Sequence, residues 1–526
     1  MVRGLFSQWK FVLKYYAANT NISGSELKRM LYENLNISTA AGLTISAIIC
    51  DQGSNNRKCF KSLNVSIDHP YFFYGEHKIY ALYDICHIIK SIRNNLLNGT
   101  KFICPDGTVC WSVVQQLYNW ERTSTTKVCP KLTSKHIYPN TFEKMRVRFA
   151  TQIFSKSVVA GIKTAIDLKI LENEELAIST SKCFDVLDKV FDCLNSKKLF
   201  SANPYTCALM EDNTVCQTLN AGLSYFKNTS YCGAKTIYCL NGLVQTISAT
   251  LMLANDFFNN SENEISYILT NRLNQDALEN LFAQVRYKGG NNKNPSLLQF
   301  NNILSHIVSS KLQFKSVFSN CETDDASFLL GEFNDEPTNT INPIDISEPI
   351  EPLCEIGQSI TITTTLEENS MKYFVGYVVF KVMGKLKCAK CTEEMLSCDT
   401  VQLENEYFLY NKNYYNDNSF GSLKSPNQYF FLLCKLQIET FRKKFDKTSH
   451  ERNLKSLIVE SCVEIANNST EYAQWFSLNN DCVNHRTKIL NFMILVLIKK
   501  HCQWKLNNIK KPTKFCRNSR MRILQE

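Results

Sequence analysis

The chain has 526 residues, of which 44% are hydrophobic and 21% are charged, and its formal net charge is +10. This composition excludes a disordered or fibrous chain, and the length indicates two to four domains. The positive charge is compatible with a polyanionic partner, and basic residues crowd the last part of the chain between Lys499 and Arg522. The alternative for that segment is a solvated basic tail.

The sequence pattern indicates neither a membrane-spanning segment nor a signal peptide. The longest apolar run, at 489–498, is too short for a bilayer, which needs about 20 residues. The first sixteen residues alternate apolar and polar side chains and lack a small-residue cleavage site. The 22 cysteines are too dilute for a disulfide scaffold. We therefore predict a reducing compartment, no membrane partner, and cysteines that mostly pack as small core residues.

The first hundred residues alternate between strand and helix patterns. The predicted strands are 5–17, 43–50 and 77–84, and the helices that follow them are 23–36, 54–64 and 87–97. This order indicates an α/β sheet domain.

The remainder of the chain has three different characters. A helical block runs from residue 130 to about 260, and a strong helix at 274–288 is ended by two glycines. Residues 321–357 are acidic and contain four prolines, which predicts a mobile linker. A mostly helical module of about 170 residues follows.

Acidic residues at two places suggest a metal site. Asp51 ends a strand of the α/β domain, where ligands of such sheets bind. Asp276 and Glu279 are three apart on the predicted helix and therefore share a face. Carboxylates converging from a strand end and a helix suit Mg²⁺, which keeps water or phosphate as its other ligands. Paired metals would activate a water and stabilise the leaving oxygen in phosphodiester cleavage.

Each of these residues also has a purely structural interpretation. Asp51 could cap the helix at 54–64, and Asp276 could favour the helix dipole from the first turn. Asp84 is placed to cap the helix at 87–97, with His87 in its first turn. Cys86 and His87 do not form a nucleophile and base pair, because adjacent residues on a helix do not face each other.

Two pairs in the C-terminal module have the spacing of zinc ligands. Cys388 and Cys391 form a C-x₂-C pair, and Cys482 and His485 form a C-x₂-H pair. A zinc ion bound by all four would staple the module across its long connection. The alternative, given the separation of about ninety residues and the number of cysteines, is a set of unliganded thiols.

Several separated segments resemble the P-element-type transposases, including the THAP-domain transposases and their domesticated relatives. The main ones, in chain order, are CDQGSNNRKCFKSLNV, YALYDICHIIKSIRNNLL and LNQDALENLFAQVRYKGGNNKNPSLLQF. KLTSKHIYPNTFEKMRVRFATQIFSKSV and VFDCLNS are also similar to that family. The resemblance covers residues 4 to about 310 and continues more faintly to the end of the chain.

The resemblance implies an RNase H-like catalytic domain interrupted by an all-helical GTP-binding insertion and followed by a mostly helical module. It makes Asp51 the second catalytic aspartate and Glu279 the catalytic glutamate, with Asp276 as an acidic neighbour. Asp84 and His87 match a D-x-x-H turn that is structural or supports the site. Mg²⁺ or Mn²⁺ and GTP are the implied cofactors, DNA the partner, and the nucleus the location. The parent family also implies a homo-oligomer.

A nucleotide site in this chain would not be a P-loop, because no Walker A motif is present. Guanine requires a carboxylate for its N1 and N2 donors, an amide, and a ring that stacks on it. By resemblance, Asp192 and Asn195 bind the base and Phe191 stacks, although Phe191 could equally be a core residue. Further candidates around the nucleotide are Lys131, Arg146 and Val147.

The resemblance also sets domain boundaries. We predict the first RNase H-like part at 1–115, the insertion at 116–262, and the second RNase H-like part with the catalytic helix at 263–320. The acidic linker follows at 321–357 and the C-terminal module at 358–526.

Parts of the family pattern have no counterpart in this sequence. They are the first strands of the RNase H-like domain, the first catalytic aspartate and the N-terminal zinc-binding DNA module. We therefore expect a truncated, transposase-derived protein, impaired in an ancestral Mg²⁺-dependent DNA cleavage and strand transfer that used GTP. The alternative is a domesticated, non-catalytic nuclear factor that binds DNA or protein.

Overall fold

A computed structural model describes most of the chain, in two compact units. The described residues are 1–18, 22–122, 124, 127–233, 236–259, 265–290, 292, 294–309, 365–386, 388–396, 406–412, 423–448, 454–469 and 483–508. As far as it is described, the first unit takes in 1–116, 135–162 and 171–338. The second unit takes in 117–134, 163–170 and 339–526.

Helices dominate both units. The strands are β1 Val2–Arg3, β2 Lys10–Phe11, β3 Ala47–Cys50, β4 Tyr71–Tyr74, β5 His77–Tyr83, β6 Lys101–Cys104, β7 Gly107–Val109 and β8 Ser230–Cys232. The helices up to residue 309 are α1 Gly24–Ala40, α2 Ser54–Ser62, α3 Ile85–Leu97, α4 Trp111–Glu121, α5 Ser134–Ile137, α6 Thr141–Lys144, α7 Val147–Phe154, α8 Lys156–Asp167, α9 Glu174–Cys193, α10 Thr214–Lys227, α11 Cys239–Phe258, α12 Asp276–Lys288 and α13 Leu297–Ser309. The remaining helices are α14 Thr365–Leu386, α15 Ala389–Met395, α16 Tyr407–Lys412, α17 Gln428–Thr448, α18 Leu454–Asn467 and α19 Val483–Asn508.

The central sheet of the first unit has the order β3-β5-β4, with β3 and β5 parallel and β4 antiparallel to β5. Cys50 pairs with Tyr83 in this register, so the two parallel strands end side by side. The ladder continues one step further, because the Asp84 amide donates to the Cys50 carbonyl over 2.8 Å. Asp51 and Asp84 are therefore the first residues beyond the same edge of the sheet.

Helix α11 covers one face of this sheet. Tyr80 and Leu82 of β5 pack with Ala249 and Leu253 of α11 in a buried apolar cluster. The Thr246 hydroxyl also accepts from the Tyr83 amide and donates to the Tyr83 carbonyl, both over 3.0 Å. Helix α11 thereby satisfies backbone groups at the end of β5 and fixes the position of that strand end.

A second small sheet has the order β7-β6-β8, with both pairs antiparallel. Its hairpin turn lies against α9, because the Ser179 hydroxyl donates to the Asp106 carbonyl over 2.8 Å. Gly107 has a φ of +122°, and an added Cβ would lie 2.5 Å from the Ser179 hydroxyl oxygen. Only glycine fits this turn without strain. The strand β8 lies inside the block predicted as helical, where the other elements that the structure describes are helices.

The second unit has its own apolar core, built from α14, α15, α17, α18 and α19. Its most deeply buried side chains include Val375, Val378, Phe430, Leu433, Ile458, Ile489 and Met493. Within the described residues, no helix combines the length and the apolar character that crossing a membrane requires.

The structure confirms most of the predicted elements of the first hundred residues, with one correction. The strands at 47–50 and 77–83 and the three following helices are present. The strand predicted over 5–17 is wrong, because only Lys10–Phe11 is paired there, with Val2–Arg3. Alternating side chains indicate a half-buried extended chain but do not supply a partner for its backbone. The predicted linker at 321–357 lies outside the described residues.

Candidate functional site

Asp84 joins the start of α3 to the start of α12. Its side chain is 1% exposed and accepts from the His87 amide and from the Gln275 amide, each over 2.8 Å. The capping role predicted for Asp84 is confirmed, and the second bond is a tertiary contact that the sequence did not indicate. Burial raises the pKa of Asp84, against the hydrogen bonds from the Gln275 and His87 backbones. The Asp84 carboxyl group thus links the start of α3 to the start of α12.

Asp51 has a different environment although it follows the neighbouring strand. It is half-buried, and its Oδ1 accepts from the Gly53 amide over 2.8 Å and from the Asn56 side chain over 2.7 Å. Gly53, and not Asp51, occupies the N-cap position of α2. Asp51 therefore closes the turn before the helix. Both bonds involve Oδ1, which leaves Oδ2 as the oxygen for a ligand.

Glu279 meets His87 across the gap between α12 and α3. Its Oε1 lies 3.6 Å from the His87 Nε2, and its side chain is 36% exposed. The interaction with His87 lowers the pKa of Glu279, against the opposing effect of burial. The D-x-x-H turn thus supports α12 twice, through the Gln275 backbone and through the Glu279 side chain.

Asp276, one turn earlier, lies in a buried polar cluster. Its Oδ2 accepts from Asn274 Nδ2 over 3.1 Å, and the Cys86 thiol lies 3.7 Å from its Oδ1. Asn274 Nδ2 also lies 3.2 Å from the side-chain oxygen of Asn195. Asn274 therefore connects Asp276 with Asn195, which lies just beyond the C-cap residue of α9. Sequence reasoning missed Asn274, and the N-x-D turn before the helix was the signal that could have found it.

The other nucleotide candidates lie near the C-terminal end of α9. Phe191 and Asp192 are in its last turn and both are half-buried, so Phe191 is not a fully buried core residue. Asp192 Oδ2 accepts from Asn203 Nδ2 over 2.9 Å. Burial, and after it the charge of Asp192, raise the pKa of Asp188 well above its ordinary value. The C-terminal end of α9 is thus shielded from water and negatively charged, which suits the N–H donors of a nucleotide base.

The remaining candidates are more scattered. Arg146 is the N-cap residue of α7, and its guanidinium lies 5.7 Å from the centre of the Phe149 ring. Val147 begins the helix and is 9% exposed. Lys131 is exposed and belongs to the second unit.

The carboxylate and amide groups of the first unit can be compared with what a metal ion and a nucleotide require. Asp51, directly after β3, and Glu279, in the first turn of α12, have partly exposed carboxylates, and such hard donors suit Mg²⁺ with water completing its shell. The side-chain oxygen of Asn271, in the turn that precedes α12, is buried without a hydrogen-bond partner.

A cluster of soft ligands lies in the second unit. In the part of the chain that the structure describes, one group of three or more potential metal ligands has its ligand atoms within 4.8 Å of one another, and it consists of Cys388, Cys391 and His485. Cys482, the fourth predicted ligand, lies outside the described residues.

Comparison with protein families agrees with a sheet domain that is interrupted by a helical block and resumes near α12. A family model described as "TNP-like, RNase H N-terminal domain" matches residues 1–64. "TNP-like, GTP-binding insertion domain" matches residues 86–207, and "TNP-like, RNase H C-terminal domain" matches 271–303. The chain is thus an RNase H-like protein interrupted by an insertion domain of the GTP-binding type.

Similar proteins narrow the class to one family. The "Transposable element P transposase" of Drosophila melanogaster is 27% identical over 401 residues, which are 73% of this chain and 51% of that protein. "DNA transposase THAP9" of Homo sapiens is 21% identical over 437 residues, which are 76% of this chain and 46% of that protein. The chain therefore spans about half the length of these relatives.

A solved structure is also similar. The "Drosophila P element transposase strand transfer complex" matches with a TM-score of 0.50 and 25% identity, over 57% of this chain and 67% of that one. Together with the ordered domain matches, these similarities support a P-element-type transposase family for the chain.

Proposed function

We propose that this chain is a transposase-derived protein that binds DNA and a guanine nucleotide and retains an impaired form of Mg²⁺- or Mn²⁺-dependent cleavage of DNA phosphodiesters. The observation that carries the proposal is the split environment of the first turn of α12. Glu279 faces His87, whereas Asp276 lies in the buried cluster with Asn274 and Asn195. Two acidic residues three apart therefore have separate surroundings, which suits one metal site and one nucleotide site.

In the nucleotide site, Asp192 accepts from the N1 and N2 donors of guanine, and Asn195 pairs with the rest of its polar edge. Phe191 stacks on the base, since it is only half-buried in the last turn of α9. Asp276 adds a second carboxylate to this site and is held by Asn274. Arg146 and Val147 are proposed around the nucleotide, and Lys131 by resemblance alone.

In the metal site, Asp51 and Glu279 are the protein ligands. A bound divalent ion would activate water and stabilise the leaving oxygen of the DNA backbone. The chain's own contribution is positioning. Asp51 is fixed by its bonds to Gly53 and Asn56, and His87 orients the Glu279 carboxylate. Asp84 holds the start of α12, and with it Glu279, against the edge of the sheet.

DNA binding would rest on the net positive charge of +10, with phosphate contacts supplying most of the affinity. We therefore expect the affinity for DNA to fall steeply as salt rises. The proposal includes a nuclear location and self-association, both of which rest on the family.

A non-catalytic DNA- or protein-binding factor is the second candidate. The observation in its favour is that no group of three carboxylates comes within 4.8 Å among the described residues, where the family's site would have three acidic ligands. Such a protein would keep the nucleotide and DNA sites without the chemistry.

A nicking assay on supercoiled DNA with Mg²⁺ or Mn²⁺ separates the two candidates. We expect slow, metal-dependent cleavage by the wild type, loss of that cleavage in Glu279→Gln, and no change in Glu76→Gln, where Glu76 is exposed in a turn. Salt-sensitive DNA binding without cleavage by the wild type would support the second candidate and contradict the first.

The same variants test the division of labour within α12. We expect Asp276→Asn to weaken GTP binding by about tenfold or more, because a buried charged partner of the base is lost. Glu279→Gln should leave GTP affinity within about twofold. Equal effects of both substitutions on GTP binding would contradict the separate roles of the two residues.

A further inference from the structure

The cysteine and histidine cluster of the second unit is independent of the nucleotide and DNA sites. Cys388 and Cys391 lie 97 and 94 residues before His485 in the sequence, yet the Sγ and Nδ1 atoms come together within 4.8 Å. The Cys391 Sγ lies 3.7 Å from the His485 Nδ1. The two cysteines are not joined in a disulfide.

We propose that Cys388, Cys391 and His485 bind a structural zinc ion. Zinc forms bonds of about 2.3 Å to sulfur and about 2.0 Å to nitrogen in tetrahedral sites, which sets roughly 3.6 Å between a bound sulfur and a bound nitrogen. The observed 3.7 Å between Cys391 and His485 corresponds to one edge of such a tetrahedron. One sulfur pair and one imidazole also match the ligand types that zinc prefers.

The local structure prepares the two thiols for this role. Cys388 is the N-cap residue of α15, and Cys391 lies in the first turn of that helix. The Cys388 carbonyl accepts from the Thr392 amide over 3.0 Å and from its hydroxyl over 2.9 Å, which fixes the turn between the cysteines.

The third ligand comes from another helix of the same core. His485 lies in the first turn of α19, and four residues later Ile489 is fully buried. Cys391 is 3% exposed and belongs to the same apolar cluster as Ile489. A zinc ion at this place would tie the start of α15 to the start of α19, and so close the long connection between them. Structural zinc takes four ligands, of which the described residues supply these three.

The test is the metal content of the purified full chain. We expect about one zinc per chain by mass spectrometry after gel filtration in metal-free buffer. Replacement by Co²⁺ should give the thiolate charge-transfer and d–d absorption of a tetrahedral site. A chain without zinc that also fails to show these bands with Co²⁺ would overturn the proposal.

Variants assign the zinc to these residues. Cys391→Ala and His485→Ala should each lower zinc content to less than half, whereas Cys462→Ala should keep it, since Cys462 is a buried thiol of the same core outside the cluster. Circular dichroism checks that each variant folds. If a cluster variant unfolds, the Co²⁺ spectrum of the wild type still decides. Zinc retained in both cluster variants, or a disulfide found between Cys388 and Cys391, would contradict the site. None of these results depends on DNA cleavage or GTP binding.

Discussion

The two candidate metal sites of this protein differ in what holds their ligand side chains in place. At the edge of the β3-β5-β4 sheet, the carboxylates are held by hydrogen bonds of the fold itself. Asp84 accepts from two backbone amides, and Asp51 closes its own turn. In the second unit, two thiols and an imidazole converge on one another. The first site should therefore keep its shape without a metal, whereas the second should need one.

Removal of zinc tests this comparison with the largest expected effect. A zinc-selective chelator should lower the unfolding temperature of the second unit by more than about 10 °C, because metal binding and folding are coupled at structural sites. Omission of Mg²⁺ should leave the first unit unchanged. Differential scanning calorimetry measures both. A chelator that shifts neither transition would show that the second site is not built around a metal.

The next largest effect is expected at Asp84, which links α3 to α12 in the first unit. Asp84→Ala should lower the free energy of unfolding by about 3–4 kcal/mol, because it leaves the Gln275 and His87 amides without their buried acceptor. Chemical denaturation measures the change. Asp68→Ala, on an exposed loop, is the matched control and should stay within about 0.5 kcal/mol. Similar values for the two variants would mean that Asp84 does not hold α12.

The stability of the second unit is expected to depend on pH through Glu121. Burial raises the pKa of Glu121 to about 7, although the Cys129 and Val128 amides donate to its carboxylate. A carboxyl group whose folded pKa is raised stabilises the fold at low pH and loses that contribution as the pH rises. We therefore expect stability to fall by up to about 3 kcal/mol between pH 4.5 and 7. Glu121→Gln should flatten this dependence in denaturation curves, and an unchanged slope would contradict it.

The smallest effect on stability is expected at Asp51. Asp51→Asn keeps the Oδ1 acceptor for Gly53 and Asn56, so the free energy of unfolding should change by less than about 1 kcal/mol. Metal-dependent DNA cleavage should nevertheless fall at least about a hundredfold, because a charged ligand is lost. Cleavage that survives the substitution would remove Asp51 from the proposed metal site.

Much of the fold could be predicted because its signals are local. The cap at Asp84, the helix at α12 and the apolar strands β3 and β5 each depend on a few neighbouring residues. The strand predicted over 5–17 failed because pairing depends on a partner that alternation does not reveal.

The sites depend on contacts that no local pattern contains. The bond from Gln275 to Asp84 spans 191 residues, and the bond from Asn274 to Asn195 spans 79. Resemblance named Asp276 as a neighbour of the catalytic glutamate but could not show which surroundings it shares. The zinc spacing of Cys388 and Cys391 was visible, whereas their approach to His485 required the packing of α15 and α19.

The most direct test of the account is a change of base specificity at Asp192. Guanine carries an amino group at C2 and xanthine a carbonyl, so a carboxylate should bind the first and an amide the second. A fluorescence titration of wild type and Asp192→Asn with GTP, XTP and ATP measures this. We expect the wild type to prefer GTP and the variant to lose GTP affinity at least about tenfold while gaining affinity for XTP. Equal GTP affinity of the two proteins, or no preference of the wild type for GTP over ATP, would contradict the proposed guanine site.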